Sequence, residues 1–312
     1  MRKALLLYNP LSGPRRNARA AEIEAAAAVL RATGVDIRAA ATEGAGNVTE
    51  QVKQAIAQGY DTIVACGGDG TVHDTLQGLV GTEIALAVIP LGTANALAHD
   101  LGVPLSPAAA ARALLHAKPR RLSAGRVEYL DFSGKSCARY FTVTVGIGVD
   151  AHLFYKLNPV VKRHLGMLAY YVQGTRLWLT HKMEPFQVEM GQNGAGQVAQ
   201  VSQLLAVRIQ DFGNMLRELA PGASLKRDDL RLVLFHTSSR AAYLGYLVRG
   251  LLGTRWKIPG IEWRDAQDVH CEAVDSSRGR GSRIFVEADG ELLGTLPAKL
   301  SIIPRAFTLL IP

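Results

Sequence analysis

The stretch Thr62-Ile-Val-Ala-Cys66-Gly67-Gly68-Asp69-Gly70-Thr71 decides the reading of the whole chain. Five residues, Thr62 to Cys66, form a short apolar run of the kind that makes a buried strand, and Thr71 to Val80 carries a helical pattern. Between them lie three glycines around one aspartate. The same grammar recurs on either side. Ala4 to Tyr8 predicts a strand and runs into Asn9-Pro10-Leu11-Ser12-Gly13; Ile84 to Ile89 predicts another and runs into Pro90-Leu91-Gly92-Thr93-Ala94-Asn95, which opens a helix from about Ala94 to Leu101. Asp36 to Ala41 predicts one more strand. Helices are expected from Asn17 to Thr33, with Gly34 as its cap, and from a capping-box-like start at Asn47 and Glu50 to Gly59. Ser106-Pro107 opens a further helix, since Ser caps well and Pro fits a first turn. Strands alternating with helices predict a Rossmann-like parallel sheet with helices on its faces.

In such a sheet ligands bind at the carboxyl ends of the strands, where these three loops fall. Glycines let backbone N–H groups approach phosphate oxygens with no Cβ in the way, and a helix N-terminus behind the loop adds partial positive charge. Arg15 and Arg16 stand beside the first loop. Asp69 is the odd residue: a carboxylate is wrong for a phosphate cradle unless it binds Mg²⁺ or takes a proton. No Gly-Lys-Ser/Thr step follows a glycine-rich stretch, so the Walker route to phosphoryl transfer is excluded, and no protein-kinase loop pair is present.

The remainder of the 312 residues has a different texture. After Lys118-Pro119-Arg120-Arg121 come strand-like runs at Tyr140 to Val145, Leu204 to Ile209, Leu230 to Phe235, Arg283 to Ala288 and Lys299 to Ile303, with a turn at Asp131 to Ser136. Helical stretches stand out only near Val160 to Leu179 and Arg240 to Leu252. We therefore expect an α/β domain over 1–122 and a mainly β domain over 123–303. A second carboxylate-bearing turn, Asp289-Gly290-Glu291, lies between C-terminal strands.

Composition sets outer limits. The formal net charge is +8, which favours an anionic partner, and without a helix-turn-helix, zinc-finger or aromatic RNA-binding signature nucleic acid is not that partner. No apolar run approaches the ~20 residues that span a bilayer, and the N-terminus does not read as a signal peptide. Cys66, Cys137 and Cys271 form no metal-spaced cluster, read as ordinary buried small residues and suggest a reducing cytoplasm.

With these motifs in this order, nearly the whole chain resembles the diacylglycerol kinase catalytic-domain family, which includes bacterial diacylglycerol kinases and sphingosine and ceramide kinases. Asn9 to Gly13, Gly67 to Thr71 and Pro90 to Asn95 match its nucleotide loops, Gly146-Ile-Gly-Val-Asp150-Ala151 the start of its lipid-side domain, His164 to Tyr170 the helix after it, and Asp289-Gly-Glu291 its carboxylate turn. The resemblance implies an α/β nucleotide domain, joined by a returning C-terminal segment at about 304–312, plus a β-sandwich, as in NAD kinases, and ATP-dependent phosphorylation of a lipid hydroxyl. It places ATP against Asn9, Pro10, Ser12, Gly13, Thr42, Gly67, Gly68, Asp69, Gly70, Thr71, His73, Gly92, Thr93 and Asn95. It makes Glu291 the general base, with Asp69 acting through Mg²⁺ or sharing the base role. Asp150 positions the head group or bonds a nearby backbone. It also implies a second, structural or regulatory Mg²⁺ held by the Asp229 carboxylate and the carbonyls of Lys226 and Arg231.

Two departures stand out. Val72-His73-Asp74 replaces the family's Val-Asn-Glu, and Leu230 follows Asp228-Asp229 where the family prefers Gly. The alternatives are an NAD-kinase-like enzyme, or a nucleotide- or lipid-binding protein impaired through His73 and Asp74. Basic and apolar residues at Lys156, Lys162, Arg163, His164, Leu165, Met167, Leu168, Tyr170 and Tyr171 suit either peripheral contact with an anionic membrane or an ordinary solvated helix, and Tyr243, Tyr246, Arg249, Arg255, Trp256 and Lys257 invite the same two readings. The expected location is cytoplasmic and peripherally membrane-associated, and an exposed sheet edge could pair two chains as a homodimer.

Overall fold

Four strands begin the chain as parallel neighbours: β1 (Lys3–Tyr8), β2 (Asp36–Ala41), β3 (Thr62–Gly67) and β4 (Ala85–Pro90). The computed structural model describes residues 1–13, 19–44, 46–149, 151, 183–192, 195–213, 218–274 and 284–312. Their contacts divide into two units, Met1–Ala124 with Asp211–Asn214 and Ile303–Pro312, and Gly125–Gln210 with Met215–Ile302.

In the first unit the sheet runs β2-β1-β3-β4. The fifth strand comes from far along the sequence: residues 303–311 of β15 (Glu291–Ile311) lie parallel to β4, with Thr308 opposite Ala85 and Leu309 opposite Leu86. Arg121 fixes this addition, donating from Nε to the Arg305 carbonyl at 2.7 Å and from Nη1 to Thr308 Oγ1 at 3.2 Å. β3 and β4 are buried throughout, as apolar central strands of a doubly covered sheet must be. The helices are α1 (Arg19–Arg31), α2 (Val48–Ala57), α3 (Asp69–Leu79), α4 (Ala96–Asp100) and α5 (Pro107–Leu114).

Three local expectations need correction. α3 starts at Asp69 rather than Thr71, because Gly68 is the extended residue that caps it. Asn47 makes no capping box: its own backbone is helical (φ −88°, ψ −18°), so its side chain cannot reach forward and instead donates to the Glu43 carbonyl at 3.5 Å. Ser106 is extended ahead of Pro107, but its side chain makes no cap hydrogen bond.

The second unit is a β-sandwich. One antiparallel sheet has the order β12 (Ile261–Ala266), β11 (Leu230–Phe235), β10 (Gln203–Val207), β7 (Thr144–Gly148), β14 (Phe285–Ala288), β15. β15 also pairs with β13 (Asp268–Ala273), which continues to β8 (Phe186–Gln192) and β9 (Ala195–Val201). β5 (Lys118–Leu130) and β6 (Ser136–Phe141) form a hairpin across the expected turn. Alternate residues of the two layers, among them Val145, Ile147, Leu232 and Leu234 from one and Val188, Val269 and Leu300 from the other, share one core. The expected strand from Tyr140 to Val145 is two strands, because the N–H groups of Thr142 and Val143 leave the ladder for the Asp289 carboxylate. Helix α6 (Arg240–Leu252) matches the sequence pattern, whereas the stretch from Val160 to Leu179 lies outside the described residues.

Candidate active site

The order β2-β1-β3-β4 puts the switch in chain direction between β1 and β3, and because the strands are parallel their carboxyl ends lie along one edge. Thr42 follows β2, Asn9 to Gly13 follow β1, Gly68 to Thr71 follow β3, and Leu91 to Asn95 follow β4. The sheet thus brings together the residues expected to meet a nucleotide, which lie far apart in sequence.

Their backbones are in contact. A Cβ on Gly92 would lie 2.8 Å from Asn95 Oδ1 and 3.1 Å from Gly68 N, and closer still to Gly68 Cα, so the second and third loops meet glycine to glycine. Gly13, at φ +65°, has the Leu91 carbonyl where its own Cβ would stand. Each loop is also closed on itself. Asn9 Oδ1 accepts from Leu11 N at 2.8 Å, and Ser12 N donates to the Asn9 carbonyl at 3.2 Å. Asn95, left-handed at φ 50°, accepts from Gly92 N at 2.8 Å and donates to the Gly92 carbonyl at 3.0 Å. Asn95 therefore shapes the third loop through both ends of its amide. Thr71 N donates to the Gly68 carbonyl at 3.0 Å. Pro10 and Thr93 are exposed, Asp69 is half-buried in the first turn of α3, and His73 is 2% exposed, inside the packing of that helix. The arrangement suits anion binding: glycine amides, the N-terminus of an eleven-residue helix, and one carboxylate able to hold the Mg²⁺ that accompanies a nucleotide.

Arg19 was not anticipated. It is buried at the start of α1, donates from Nη2 to the Ser12 carbonyl and to the Leu91 carbonyl at 3.5 Å, and pairs with Glu22 at 2.7 Å. It ties the first loop to the third. The available signal was a lone cation at the head of an alanine-rich helix with an acid three residues on. Arg15 and Arg16 lie outside the described residues. Burial holds the Cys66 thiol well above the ordinary range, with Arg19 pulling weakly the other way, so the thiol between these loops is inert.

In the second unit the turn after β14 separates its two carboxylates. Asp289, 6% exposed and at φ 48°, accepts from the backbone N–H groups of Thr142 at 3.0 Å, Val143 at 2.9 Å and Thr144 at 3.0 Å. Gly290 N donates to Glu287 at 3.0 Å. Glu291 is exposed. One carboxylate anchors the turn and the other faces solvent. Asp150 lies outside the described residues.

The loop before β11 carries its own cations. Both oxygens of Asp229 take hydrogen bonds from Arg227 at 2.6 Å. Arg208, 1% exposed, points its guanidinium at the carbonyls of Leu225 at 3.3 Å, Asp229 at 3.4 Å and Arg227 at 3.5 Å. Burial lowers the Arg208 pKa to about 10, against the pull of Asp228, Asp229 and Asp289, and it stays protonated at neutral pH. Lys226 lies in this loop, and Arg231 is in β11 with its side chain on Asp265 at 2.9 Å. With both oxygens of Asp229 on Arg227, the loop as it stands offers the second Mg²⁺ expected at Asp229, Lys226 and Arg231 no carboxylate oxygen without a cation on it, and the carbonyls that Arg208 faces are not the two expected as ligands. Among the described residues no group of three His, Cys, Asp or Glu side chains could hold a metal ion either. The signal for Arg208 was a single charge in the apolar run from Leu204 to Ile209.

Glycine loops on a parallel sheet, coupled in one chain to a β-sandwich, define a two-domain class whose first unit suits an anionic ligand. The diacylglycerol kinase catalytic domain matches residues 3–127, and the YegS C-terminal NAD kinase beta sandwich-like domain matches residues 143–311. The chain belongs to the diacylglycerol kinase catalytic-domain family. A diacylglycerol kinase of Bacillus subtilis (strain 168) is 26% identical over 315 residues, covering 100% of this chain and 97% of the relative. One of Mycobacterium tuberculosis (strain ATCC 25618 / H37Rv) is 28% identical over 316 residues, covering 99% and 95%. A diacylglycerol kinase structure from Bacillus anthracis str. Sterne shares the fold at a TM-score of 0.75 and 23% identity, covering 99% of this chain and 97% of that one. Yeast NADH kinase complexed with NADH shares it more distantly, at a TM-score of 0.51 and 11% identity, covering 100% and 84%.

Proposed function

We propose that the protein is an ATP-dependent lipid kinase that transfers the γ-phosphoryl group to the hydroxyl of diacylglycerol or a related lipid at a membrane surface. The observation that carries this reading is the meeting of three glycine loops, one bearing Asp69, on adjacent strand ends of a chain whose family is that of diacylglycerol kinases.

The amides of Gly13, Gly68, Gly70 and Thr93 bind the phosphate oxygens, with Arg19 and Asn95 keeping the loops in place. Asp69 would hold the Mg²⁺ of the nucleotide, which would offset phosphate charge when ATP is bound. Glu291 accepts the proton of the lipid hydroxyl as its oxygen bonds to the γ-phosphorus and the bond to the ADP oxygen breaks. The Asp289 clamp holds the Glu291 turn in one conformation. Peripheral contact with anionic lipid fits the net charge of +8.

The test is transfer of label from γ-labelled ATP to diacylglycerol, phosphatidylglycerol, sphingosine or ceramide in mixed micelles with Mg²⁺, with NAD in parallel. Label is expected in one lipid and is expected to fall by about 10²–10⁴-fold in Glu291→Gln, the usual contribution of a general base. Label in NAD and in no lipid would favour the second reading, an NAD-kinase-like enzyme, which the fold shared with yeast NADH kinase supports.

A further inference from the structure

Helix α6 is built inside out. The residues it turns inward are Tyr243, Tyr246 and Arg249. Tyr243 packs on Phe235 with ring centres 4.6 Å apart and bonds Ser202 Oγ at 2.9 Å. Tyr246 meets the same ring edge-on at 5.0 Å and donates to the Leu219 carbonyl at 3.0 Å. The Arg249 guanidinium lies over the Trp263 ring at 4.5 Å. The outward residues are Leu244, Leu247, Val248, Leu251 and Leu252, between 37% and 64% exposed. Their spacing of three and four places them in one stripe along the helix. A helix held to its domain only by its apolar stripe shows the opposite pattern. Here aromatic and cation–π contacts hold the inward face, and the apolar stripe is left about half exposed on the other.

The helix and the residues that flank it in sequence carry charge of one sign. No Asp or Glu occurs from His236 to Ile261. Arg240 stands exposed at the start of the helix, and Arg255, Trp256 and Lys257 stand exposed just past its end. Arg255 is paired with Glu218 at 2.8 Å, and Lys257 adds a further positive charge beyond the helix end. An apolar stripe between cations, with an indole at one end, complements the boundary between acyl chains and anionic head groups. A protein partner would be expected to set carboxylates or polar groups among the leucines' neighbours, and charge complementarity here selects a diffuse anionic surface instead.

We propose that α6 is the element by which the protein lies on an anionic lipid surface, with the leucine stripe in the interface and Lys257 over lipid phosphates. The inference rests on the lipid-kinase reading for why such a surface would be sought. The experiment is flotation of the full chain with phosphatidylglycerol–phosphatidylcholine vesicles and with phosphatidylcholine vesicles, comparing the natural protein with L247E/L251E and K257E. The natural protein is expected on the anionic vesicles. The double substitution should lower partitioning by about a hundredfold, and K257E by about fivefold. The melting midpoint should not move, because these side chains are exposed. Transfer to a short-chain, water-soluble diacylglycerol needs no surface and should be unchanged in L247E/L251E. Loss of vesicle binding without any transfer to that substrate in either protein would refute the kinase reading and leave the docking surface standing. Natural protein that stays off anionic vesicles, or L247E/L251E that binds them equally, overturns the proposal. So does a double substitution that splits a dimer while leaving vesicle binding intact, which would make a second copy the occupant.

Discussion

Replacing Asp289 by alanine should unfold the second unit far more readily than replacing its neighbour Glu291. The carboxylate of Asp289 receives three main-chain N–H groups at 2.9–3.0 Å and is 6% exposed. Hydrogen bonds to a charged acceptor contribute about 1.5–3 kcal/mol each, but three that share one side chain are not additive, and about 4 kcal/mol is a reasonable total. Alanine at φ 48° adds about 1 kcal/mol, because a Cβ in the left-handed region meets the following carbonyl. Asparagine tolerates that backbone and keeps one acceptor oxygen, but turns an NH₂ toward an N–H donor and removes a negative charge near Arg208; about 2–3 kcal/mol is expected. For a domain of this size each kcal/mol moves the melting midpoint by about 2–4 °C, so Asp289→Ala should melt about 10–20 °C early and Asp289→Asn about half as far. All three tryptophans fall in the second unit, so their fluorescence on heating reports it alone. Glu291→Gln, at an exposed position, should melt within about 2 °C of the natural protein. An Asp289→Ala protein that melts within the same margin, or a Glu291→Gln protein that melts as early, would refute the division of labour assigned to this turn.

Gly92→Ala should weaken ATP binding in calorimetry by about tenfold or more, since its Cβ would push the third loop off Gly68; unchanged affinity would show that the two loops need not touch. Arg19→Met should raise the ATP dissociation constant several-fold, and Arg19→Lys should not rescue it, because one ammonium cannot reproduce a fork that reaches both Ser12 and Leu91. Arg208→Met should lower the stability of the second unit by about 3 kcal/mol, the usual scale for removing one partner from a buried charge cluster. In the natural protein without nucleotide, exchanging Mg²⁺ for a chelator should leave the melting of that unit unmoved; a large shift would mean that a metal does enter the loop at Asp229.

The parts of the fold that sequence reveals are those in which one segment carries its own signal. Thr62 to Cys66 followed by Gly-Gly-Asp-Gly-Thr is a strand and a turn by local chemistry alone, and Leu230 to Phe235 and Arg240 to Leu252 have the periods of the elements they form. β8 and β9 have no such signal. Phe186-Gln-Val-Glu-Met-Gly-Gln192 and Ala195-Gly-Gln-Val-Ala-Gln-Val201 are short and dilute, and they become strands because each supplies the other's ladder. The same limit applies to the site. Which loops gather at one edge follows from alternation of strands and helices, but Asp289 and Glu291 are indistinguishable as letters. Burial alone makes one an anchor. Arg19 and Arg208 likewise act through carbonyls distant in sequence, or in a loop whose path the sequence does not show.

The strand that crosses into the first unit at Ile303 bears on how the molecule is made. Until residues 303–312 have been synthesised, β4 presents an unpaired edge, and edges of that kind invite pairing with another chain. Residues 1–124 cloned alone would keep every glycine loop and still lack the strand that Arg121 and Gly81 fasten in place. Translation must therefore deliver the β-sandwich before the nucleotide unit can close, and a chain cut short after residue 302 would injure the unit farthest from the cut in sequence.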